Sequence, residues 1–395
     1  MPVLHARDTA MTSTDESAGR KVPGLLEVLA RVPDPRQRRG RRYLLAFVLA
    51  VAVACALAGA RNFREAGDHA ADLPQDVLAR LGGTPHPLWR RIIAPSETRI
   101  RTLIQAIGAD LLDDLIGSWL RDLADAGRLD EALTAIAIDG KWLRGVLDGQ
   151  VKLFAAMLHQ KKVVIGQVRV PDETTEVTQV KALLGDVDLR GAVVTADAVH
   201  SCRETAQYIA GNEEDGGRES DYFLFVKGNT PSLQRAAFDA IQASGPGRDP
   251  DHAELDRSHG RVTRRSIWVT DAGEMDFPQV RRVARIRRDR YDRDGQLLSK
   301  EIVHAVTSLD AEKASAETLA GIARGQWGIE SVHWVRDTAY DEDANTGYSG
   351  NGPQVMATLR NLAISLLYLA GVKEVTRTLQ AIARDRNRLF DYLPL

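Results

Sequence analysis

Three acidic residues stand where side chains capable of chemistry are often found. Asp139 follows the apolar stretch 134–138, Asp197 follows the apolar stretch 192–196, and Glu330 lies in a long helical pattern. Side chains at strand ends of an open α/β sheet are well placed for catalysis. Taken singly, each aspartate also fits an ordinary turn, because Asp is a common turn residue.

The helical spacing around Glu330 predicts that this carboxylate points from an apolar face. At about 100° per residue, Ile322 and Ile329 lie on one flank and Trp327 and Trp334 on the other. We expect both tryptophans in the core. A carboxylate directed into a core is costly unless it is paired or binds a metal. We therefore expect either a salt bridge to an arginine or a metal ligand at this position.

Two aspartates and one glutamate form a ligand set of oxygen atoms only. Such a set suits Mg²⁺, with Mn²⁺ as a substitute. Two ions about 4 Å apart can activate a water and stabilise the leaving oxygen in displacement at phosphorus. We expect the carboxylates of Asp139, Asp197 and Glu330 to converge on such a pair and to act on a polyanionic substrate.

The charge of the chain is balanced overall but clustered locally. Its 395 residues include 52 basic and 54 acidic side chains, and apolar residues make up 44%. This composition excludes collagen-like, disulfide-scaffold and wholly disordered proteins. Residues 31–42 and 281–290 each carry six Arg against one Asp. Such clusters can follow a phosphate backbone, although each alone also fits a solvated surface.

Residues 43–60 form an uncharged stretch that resembles a membrane span behind an arginine cluster. Seven of these eighteen residues are Ala, and a helix buried on all sides explains the stretch equally well. We expect the buried helix and keep a membrane anchor as the alternative. Cys55 and Cys202 fit neither a disulfide framework nor a zinc site, and the N-terminus has no secretion signal.

The elements that position these residues follow from the hydrophobic periodicity. The pattern is helical from about residue 24 to 127, with one continuous run over 96–123. From residue 133 the period changes to two, and helices then alternate with strands. This order predicts a mixed α/β fold of the ribonuclease H-like type. A long helix is expected from about 314 to 337.

The predicted organisation is a helical N-terminal domain followed by an α/β catalytic domain that carries a β-rich insertion. The expected boundaries are a disordered tail at 1–22, a helical DNA-binding domain at 23–128, a catalytic domain at 129–370 with its insertion at about 229–312, and a C-terminal tail at 371–395.

Taken in order, several stretches between about residues 23 and 370 resemble DDE transposases of bacterial insertion sequences, in the branch that includes the H-repeat-associated proteins. The stretches that carry this resemblance are AIDGKWLRG around Asp139, VVTADAVHSCRETAQYI around Asp197, RGQWGIESVHWVRDTAYDEDA around Glu330, DYFLFVKGNTPSL, HGRVTRRSIWV and NGPQVMATLRNLAISLL. The resemblance implies a ribonuclease H-like fold in which Asp139, Asp197 and Glu330 are the catalytic residues and bind two Mg²⁺ ions.

The sequence departs from the wider class at one position. Many members have Lys seven residues after the glutamate, whereas this chain has Asp337. The side chains that hold the phosphates beside the scissile bond therefore stay open, and the candidates are Lys141, Lys227, Arg324 and His333. The arginines expected to bind DNA are Arg36, Arg38, Arg39, Arg41, Arg42, Arg285, Arg287 and Arg288.

The function implied by the resemblance is a DNA transposase. It would cut at the ends of an insertion sequence and join the 3′-hydroxyl to target DNA by Mg²⁺-dependent transesterification. Its partners would be double-stranded DNA, as element-end inverted repeats and as target, and a second copy of the chain in a homodimer. We expect a cytoplasmic, nucleoid-associated protein without membrane contact. The alternative is a catalytically inactive or domesticated relative that binds DNA without cutting it.

Overall fold

The structure is a computed structural model that describes residues 22–125, 133–144, 146, 150–245, 247–258, 260–345 and 347–395. The predicted disordered tail at 1–22 lies outside the described residues except for Val22. The described part confirms the mixed α/β class, with helices packed around one large mixed sheet.

Helices are the regular elements described before residue 126. They are α1 (Leu25–Leu29), α2 (Leu45–Leu57), α3 (Phe63–Ala71), α4 (Gln75–Arg80), α5 (Glu97–Ala106) and α6 (Ala109–Asp125). The prediction of one continuous run over 96–123 is wrong. Ile107 has extended backbone angles (φ −72°, ψ 152°) and Gly108 follows it. Because glycine is a poor helix former, the chain breaks here into α5 and α6.

Helix α2 is buried almost completely. Twelve of its thirteen residues are buried, and it packs against α11 (Gly352–Leu369), α1 and α3. This packing confirms the prediction of a buried helix within 43–60. At about 1.5 Å per residue, α2 is roughly 20 Å long. No helix in the described part of the chain is long and apolar enough to cross a membrane.

The later part of the chain contains strands and helices. The strands are β1 (Thr134–Leu143), β2 (Val151–Leu158), β3 (Val163–Val170), β4 (Ala192–Ala196), β5 (Asp221–Val226), β6 (His252–Ser258), β7 (Arg261–Asp271), β8 (Arg282–Tyr291) and β9 (Leu297–Thr307). The remaining helices are α7 (Glu176–Leu184), α8 (Arg203–Ala210), α9 (Pro231–Ala243), α10 (Ala316–Ala339) and α12 (Val375–Arg384).

The nine strands form one sheet in the order β3-β2-β1-β4-β5-β9-β8-β7-β6. Strand β4 runs parallel to both β1 and β5, and the other neighbours are antiparallel. The β-rich insertion is therefore an extension of the central sheet, because β9 pairs with β5 from Phe223↔Thr307 to Val226↔His304.

Helix α11 joins the N-terminal helices to the sheet. Residues 352–367 of α11 are all buried, and the helix packs on α2, α6 and β3 within one hydrophobic cluster. The segment 371–395, predicted as a tail, contains α12, whose Val375, Leu379 and Ile382 are buried in the same cluster. Helix α10 crosses the sheet over β1 and β4, which brings Glu330 to the ends of these strands.

Candidate acidic site

Asp139 and Asp197 are held side by side by two parallel strands. The register pairs Ile138 of β1 with Ala196 of β4, so each aspartate comes one residue later at the same edge. Asp197 also caps the short 3-10 helix Ala198–His200, because its Oδ1 accepts a hydrogen bond from the Val199 N–H at 3.0 Å. The predicted neighbourhood of the two aspartates is thus present.

A hydrogen-bonded contact holds α10 against β1 and β4 one helical turn before Glu330. Gln326 lies one helical turn before Glu330, and its Nε2 donates to the Ile138 carbonyl at 3.2 Å. The Thr195 hydroxyl donates to Gln326 Oε1 and lies 2.9 Å from His159 Nε2. Burial lowers the pKa of His159 to about 4, so this ring is neutral at pH 7. Sequence reasoning missed this contact, although Gln326 is spaced i, i+4 from Glu330.

The side chain of Glu330 does not enter the core as predicted. It is exposed, and the buried stripe of α10 runs through Ile322, Gln326 and Ile329 instead. The prediction for Trp334 is also wrong, since 62% of its surface is exposed. The helix itself was predicted correctly, but the face of α10 that packs on the protein is not the face centred on Glu330. Glu330 therefore lies at the border of the buried stripe, and no Lys or Arg among the described residues forms an ion pair with it.

The three carboxylates lie within reach of one another's charge. Burial raises the pKa of Asp197, and the charges of Asp139 and Glu176 raise it further, while His200 and the Val199 N–H act in the opposite direction. Partial loss of water around its carboxylate also raises the pKa of Glu330, although the residue is exposed, and the charges of Asp139 and Asp197 add to that rise. Lys227 and Arg288 partly offset it. Negative charge is therefore concentrated at this edge of the sheet.

The carboxylates are near one another but do not converge on one point. Within the described ranges, no three His, Cys, Asp or Glu side chains are placed to hold one metal ion. The expected convergence is therefore not present in this arrangement. The donor set itself fits a hard cation, because it consists of carboxylate oxygens without Lys or Arg partners in the described part of the chain. Joint coordination would need rotation of these side chains.

Two further predicted residues lie beside Asp139. His333 Nδ1 is 3.5 Å from Asp139 Oδ2. Lys141 lies two residues after Asp139 in β1 and is only 8% exposed, and its Nζ is 2.5 Å from Asp337 Oδ1 and 3.9 Å from Asp343 Oδ1. The position at which the wider class often has Lys thus carries the acid that binds Lys141.

The arginines of 31–42 divide into two groups. Arg36 Nη2 binds Asp34 at 2.9 Å and the Tyr43 carbonyl at 2.7 Å, and Arg41 donates to the Arg36 carbonyl at 2.9 Å. These two side chains organise their own loop. The other arginines are exposed and form no ion pair within the described residues, and they are Arg31, Arg38, Arg39 and Arg42.

The arginines of the β-rich extension contact aromatic rings and acids. Arg285 stacks on Trp268 at 4.8 Å, and Arg288 stacks on Trp327 at 5.3 Å. Among the predicted cations, Arg287 pairs with Asp289 at 2.8 Å and Arg288 pairs with Glu301, while Arg324 of α10 pairs with Glu254 of β6 at 2.8 Å. Of the predicted cations, Lys227 and Arg288 are those whose charges act on Glu330.

Comparison with known proteins gives a family match over most of the chain. Residues 134–366 match the family described as "Transposase DDE domain", and residues 26–120 match the family described as "DDE_Tnp_1-associated". Both the sheet and all three acidic residues fall within the first match. The N-terminal helices fall within the second.

Relatives of similar length carry related names. The chain is 26% identical over 391 residues to "H repeat-associated putative transposase YhhI" of Escherichia coli strain K12, covering 93% of this chain and 97% of the relative. It is equally similar, with the same coverage, to "Putative protein YbfL" of the same strain. It is 24% identical over 363 residues to "Putative transposase YncI" of Escherichia coli O157:H7, covering 88% and 87%.

Proposed function

Because the chain belongs to the transposase DDE domain family, we propose that it cuts DNA at the ends of an insertion sequence and joins the 3′-hydroxyl to target DNA. The observation that carries this proposal is the acidic site. Asp139, Asp197 and Glu330 come from three separate elements to one edge of the sheet, and their charges raise the pKa of Asp197 and Glu330. Carboxylates whose pKa values are raised by one another are typical of functional sites.

The residues that would hold divalent cations are Asp139, Asp197 and Glu330. Mg²⁺, or Mn²⁺ as its substitute, would lower the pKa of the attacking water or hydroxyl and stabilise the leaving oxygen, with two ions per site. A ribonuclease H-like fold is part of this proposal, supported by the parallel β1-β4-β5 core.

The cations around the site have separate tasks in this proposal. Lys227 and Arg288 lie near Glu330 and would bind the phosphates that flank the scissile bond. Asp337 keeps the Lys141 ammonium beside Asp139, where it would orient the DNA backbone. His333 would fix the Asp139 carboxylate through its Nδ1. Further phosphate contacts would come from the exposed Arg38, Arg39 and Arg42 and from β8, and two copies would act on paired element ends.

The test is Asp139→Asn with a labelled duplex taken from the DNA that flanks the gene. This change keeps the shape of the side chain and removes its charge. We expect strand cleavage in Mg²⁺ to fall by at least about 10³-fold, as for loss of one member of a catalytic unit. Binding in Ca²⁺, measured by gel shift, should stay within about threefold, because affinity rests on Lys and Arg elsewhere.

Asp172→Asn is the matched control, because Asp172 is exposed in the loop after β3. It should cleave like the wild-type chain. Cleavage by Asp139→Asn at the wild-type rate would contradict the proposed site. A wild-type chain that binds the duplex but cuts it in neither Mg²⁺ nor Mn²⁺ would favour the alternative, a DNA-binding relative without catalytic activity.

A further inference from the structure

A fourth acidic side chain lies against the backbone beside Asp139. Glu176 is the first residue of α7, and its carboxylate covers Gly140 of β1. A methyl group at Gly140 would lie 2.0 Å from Glu176 Oε1 and 2.6 Å from Oε2, which are impossible contacts. Glycine at this position therefore provides the space that the carboxylate occupies. Glu176 is thereby placed against the residue that follows Asp139, although it lies 37 positions after Asp139 in the chain.

A buried histidine is aimed at this carboxylate. His200 is completely buried, and neither of its ring nitrogens has a hydrogen-bond partner among the described residues. Its Nε2 lies 3.6 Å from Glu176 Oε2. Its ring stacks on Phe154 of β2 with centroids 5.0 Å apart and planes at 11°, so the ring orientation is fixed. A buried polar ring without a partner is uncommon, because it loses its hydrogen bonds to water.

The same carboxylate acts on Asp197. The charge of Glu176 is one of the causes that raise the pKa of Asp197, alongside that of Asp139. The Glu176 carboxylate is therefore close enough to Asp197 to add to the negative charge around it. A movement of a few tenths of an ångström at Glu176 would close the hydrogen bond from His200 Nε2.

We propose that Glu176 is a fourth carboxylate of the divalent-cation site, on the side of Asp139 and Asp197, and that His200 is its positioning residue. This inference rests on the proposed function. Gly140 leaves room for the Glu176 carboxylate, and His200, fixed by Phe154, limits its rotation. Once a cation is bound, Glu176 would add an oxygen ligand next to the aspartates.

The test measures Mn²⁺ binding to the full chain by titration calorimetry, without DNA. We expect Glu176→Gln to weaken Mn²⁺ binding at least tenfold, because the change keeps the shape and removes the charge. Glu173→Gln is the matched control, since Glu173 is exposed three residues earlier, and its affinity should stay within twofold of wild type. Thermal melting in EDTA checks that each variant is folded.

Asp139→Asn separates this inference from the proposed function. If Asp139→Asn loses Mn²⁺ binding and Glu176→Gln keeps it, the fourth ligand is wrong and the three-residue site stands. If the wild-type chain itself does not bind Mn²⁺, both the inference and the metal chemistry of the proposed function fail.

His200 is tested by two replacements. His200→Phe keeps the stacking on Phe154 and removes the ring nitrogens, so Mn²⁺ affinity should fall about tenfold. His200→Gln retains an N–H donor and should stay within about threefold of wild type. Adding His200→Phe to Glu176→Gln should cause no further loss, because both act on one carboxylate. Wild-type Mn²⁺ affinity in His200→Phe would overturn the positioning role.

Discussion

Helix α10 contributes to two acidic regions that treat their carboxylates in opposite ways. Near its C-terminal end, the buried Glu342 accepts hydrogen bonds from Arg336 Nε at 2.8 Å and Arg360 Nη1 at 2.7 Å. These guanidinium groups lower the pKa of Glu342 to about 2 despite its burial. Glu330, earlier in α10, has no such arginine partners among the described residues, and the charges of Asp139 and Asp197 help to raise its pKa.

The comparison distinguishes an acid that stabilises the fold, Glu342, from acids that are candidates for metal binding, Asp139, Asp197 and Glu330. A buried carboxylate with an arginine on each of its two oxygens has its charge paired, and it joins α10 to α11. Carboxylates that repel one another weaken the folded state, and such a cost is retained at sites that bind charged ligands. Lys141 is intermediate, because it is buried beside Asp139 but is paired with Asp337 on α10.

Glu342→Gln should have the largest effect on stability. It leaves Arg336 and Arg360 buried without a counter-charge, and loss of one partner of a buried ion pair costs about 3–5 kcal/mol. The free energy of unfolding in urea at pH 7 measures this loss. Glu312→Gln, at an exposed acid ahead of α10, is the control and should stay within about 0.5 kcal/mol. If the free energy of unfolding falls by less than about 1 kcal/mol, the Glu342 region is not more stabilising than the region around Glu330.

The pH dependence of stability should come from Glu342. Its pKa is lowered from 4.5 to about 2, so the stabilisation is complete above pH 4.5 and disappears as the pH falls towards 2. The difference corresponds to about 3 kcal/mol. Urea melts between pH 2 and 5 should show this slope in the wild-type chain and a much weaker one in Glu342→Gln. Equal slopes would assign the acid sensitivity to other carboxylates.

Asp197→Asn should make the protein more stable when no divalent cation is bound. The pKa of Asp197 is raised, so its ionisation costs stability as the pH rises above its ordinary value of 3.8. Asparagine removes that cost and still accepts the Val199 N–H. We expect a higher free energy of unfolding than wild type at pH 7 in EDTA, measured by urea melts. A loss of stability would mean that the Asp197 charge is satisfied in the folded chain.

The smallest expected effect on stability is that of removing exposed arginines, which differ from the buried arginines around Glu342. Arg38 and Arg39 are exposed, unlike Arg336 and Arg360, so Arg38→Gln with Arg39→Gln should change stability by less than about 0.5 kcal/mol. Each lost phosphate contact should reduce the slope of log affinity against log salt by about 0.9. Gel shifts at several salt concentrations give this slope. An unchanged slope would indicate that Arg38 and Arg39 do not contact DNA and that the arginines of β8 bind it instead.

Several features of the site could be predicted from the sequence. Hydrophobic period and residue types at element ends predicted the strands of Asp139 and Asp197, the helix of Glu330 and the buried α2. The end of the first strand was mispredicted, because β1 continues past Asp139 to Leu143. The face of α10 was mispredicted, because the helix has apolar residues on several sides and the sequence does not show which side meets the sheet. Trp334 is exposed for the same reason.

Glu176 and His200 had no comparable signal. An acid in the first turn of a helix is ordinary, because it favours the helix dipole. A histidine near an aspartate is also common. Only the approach of α7 to β1 over Gly140, together with the burial of His200 against Phe154, gives these residues a place at the site.

The amino-acid sequence by itself determined the local elements and the chemical types of the side chains, because both depend on neighbours along the chain. It placed two aspartates at buried strands and one glutamate on a long helix. Only the tertiary structure decided which acids are neutralised. Pairing depends on contacts between residues far apart in the chain, such as Lys141 with Asp337 and Glu342 with Arg360. These contacts arise when α10 and α11 pack against the sheet.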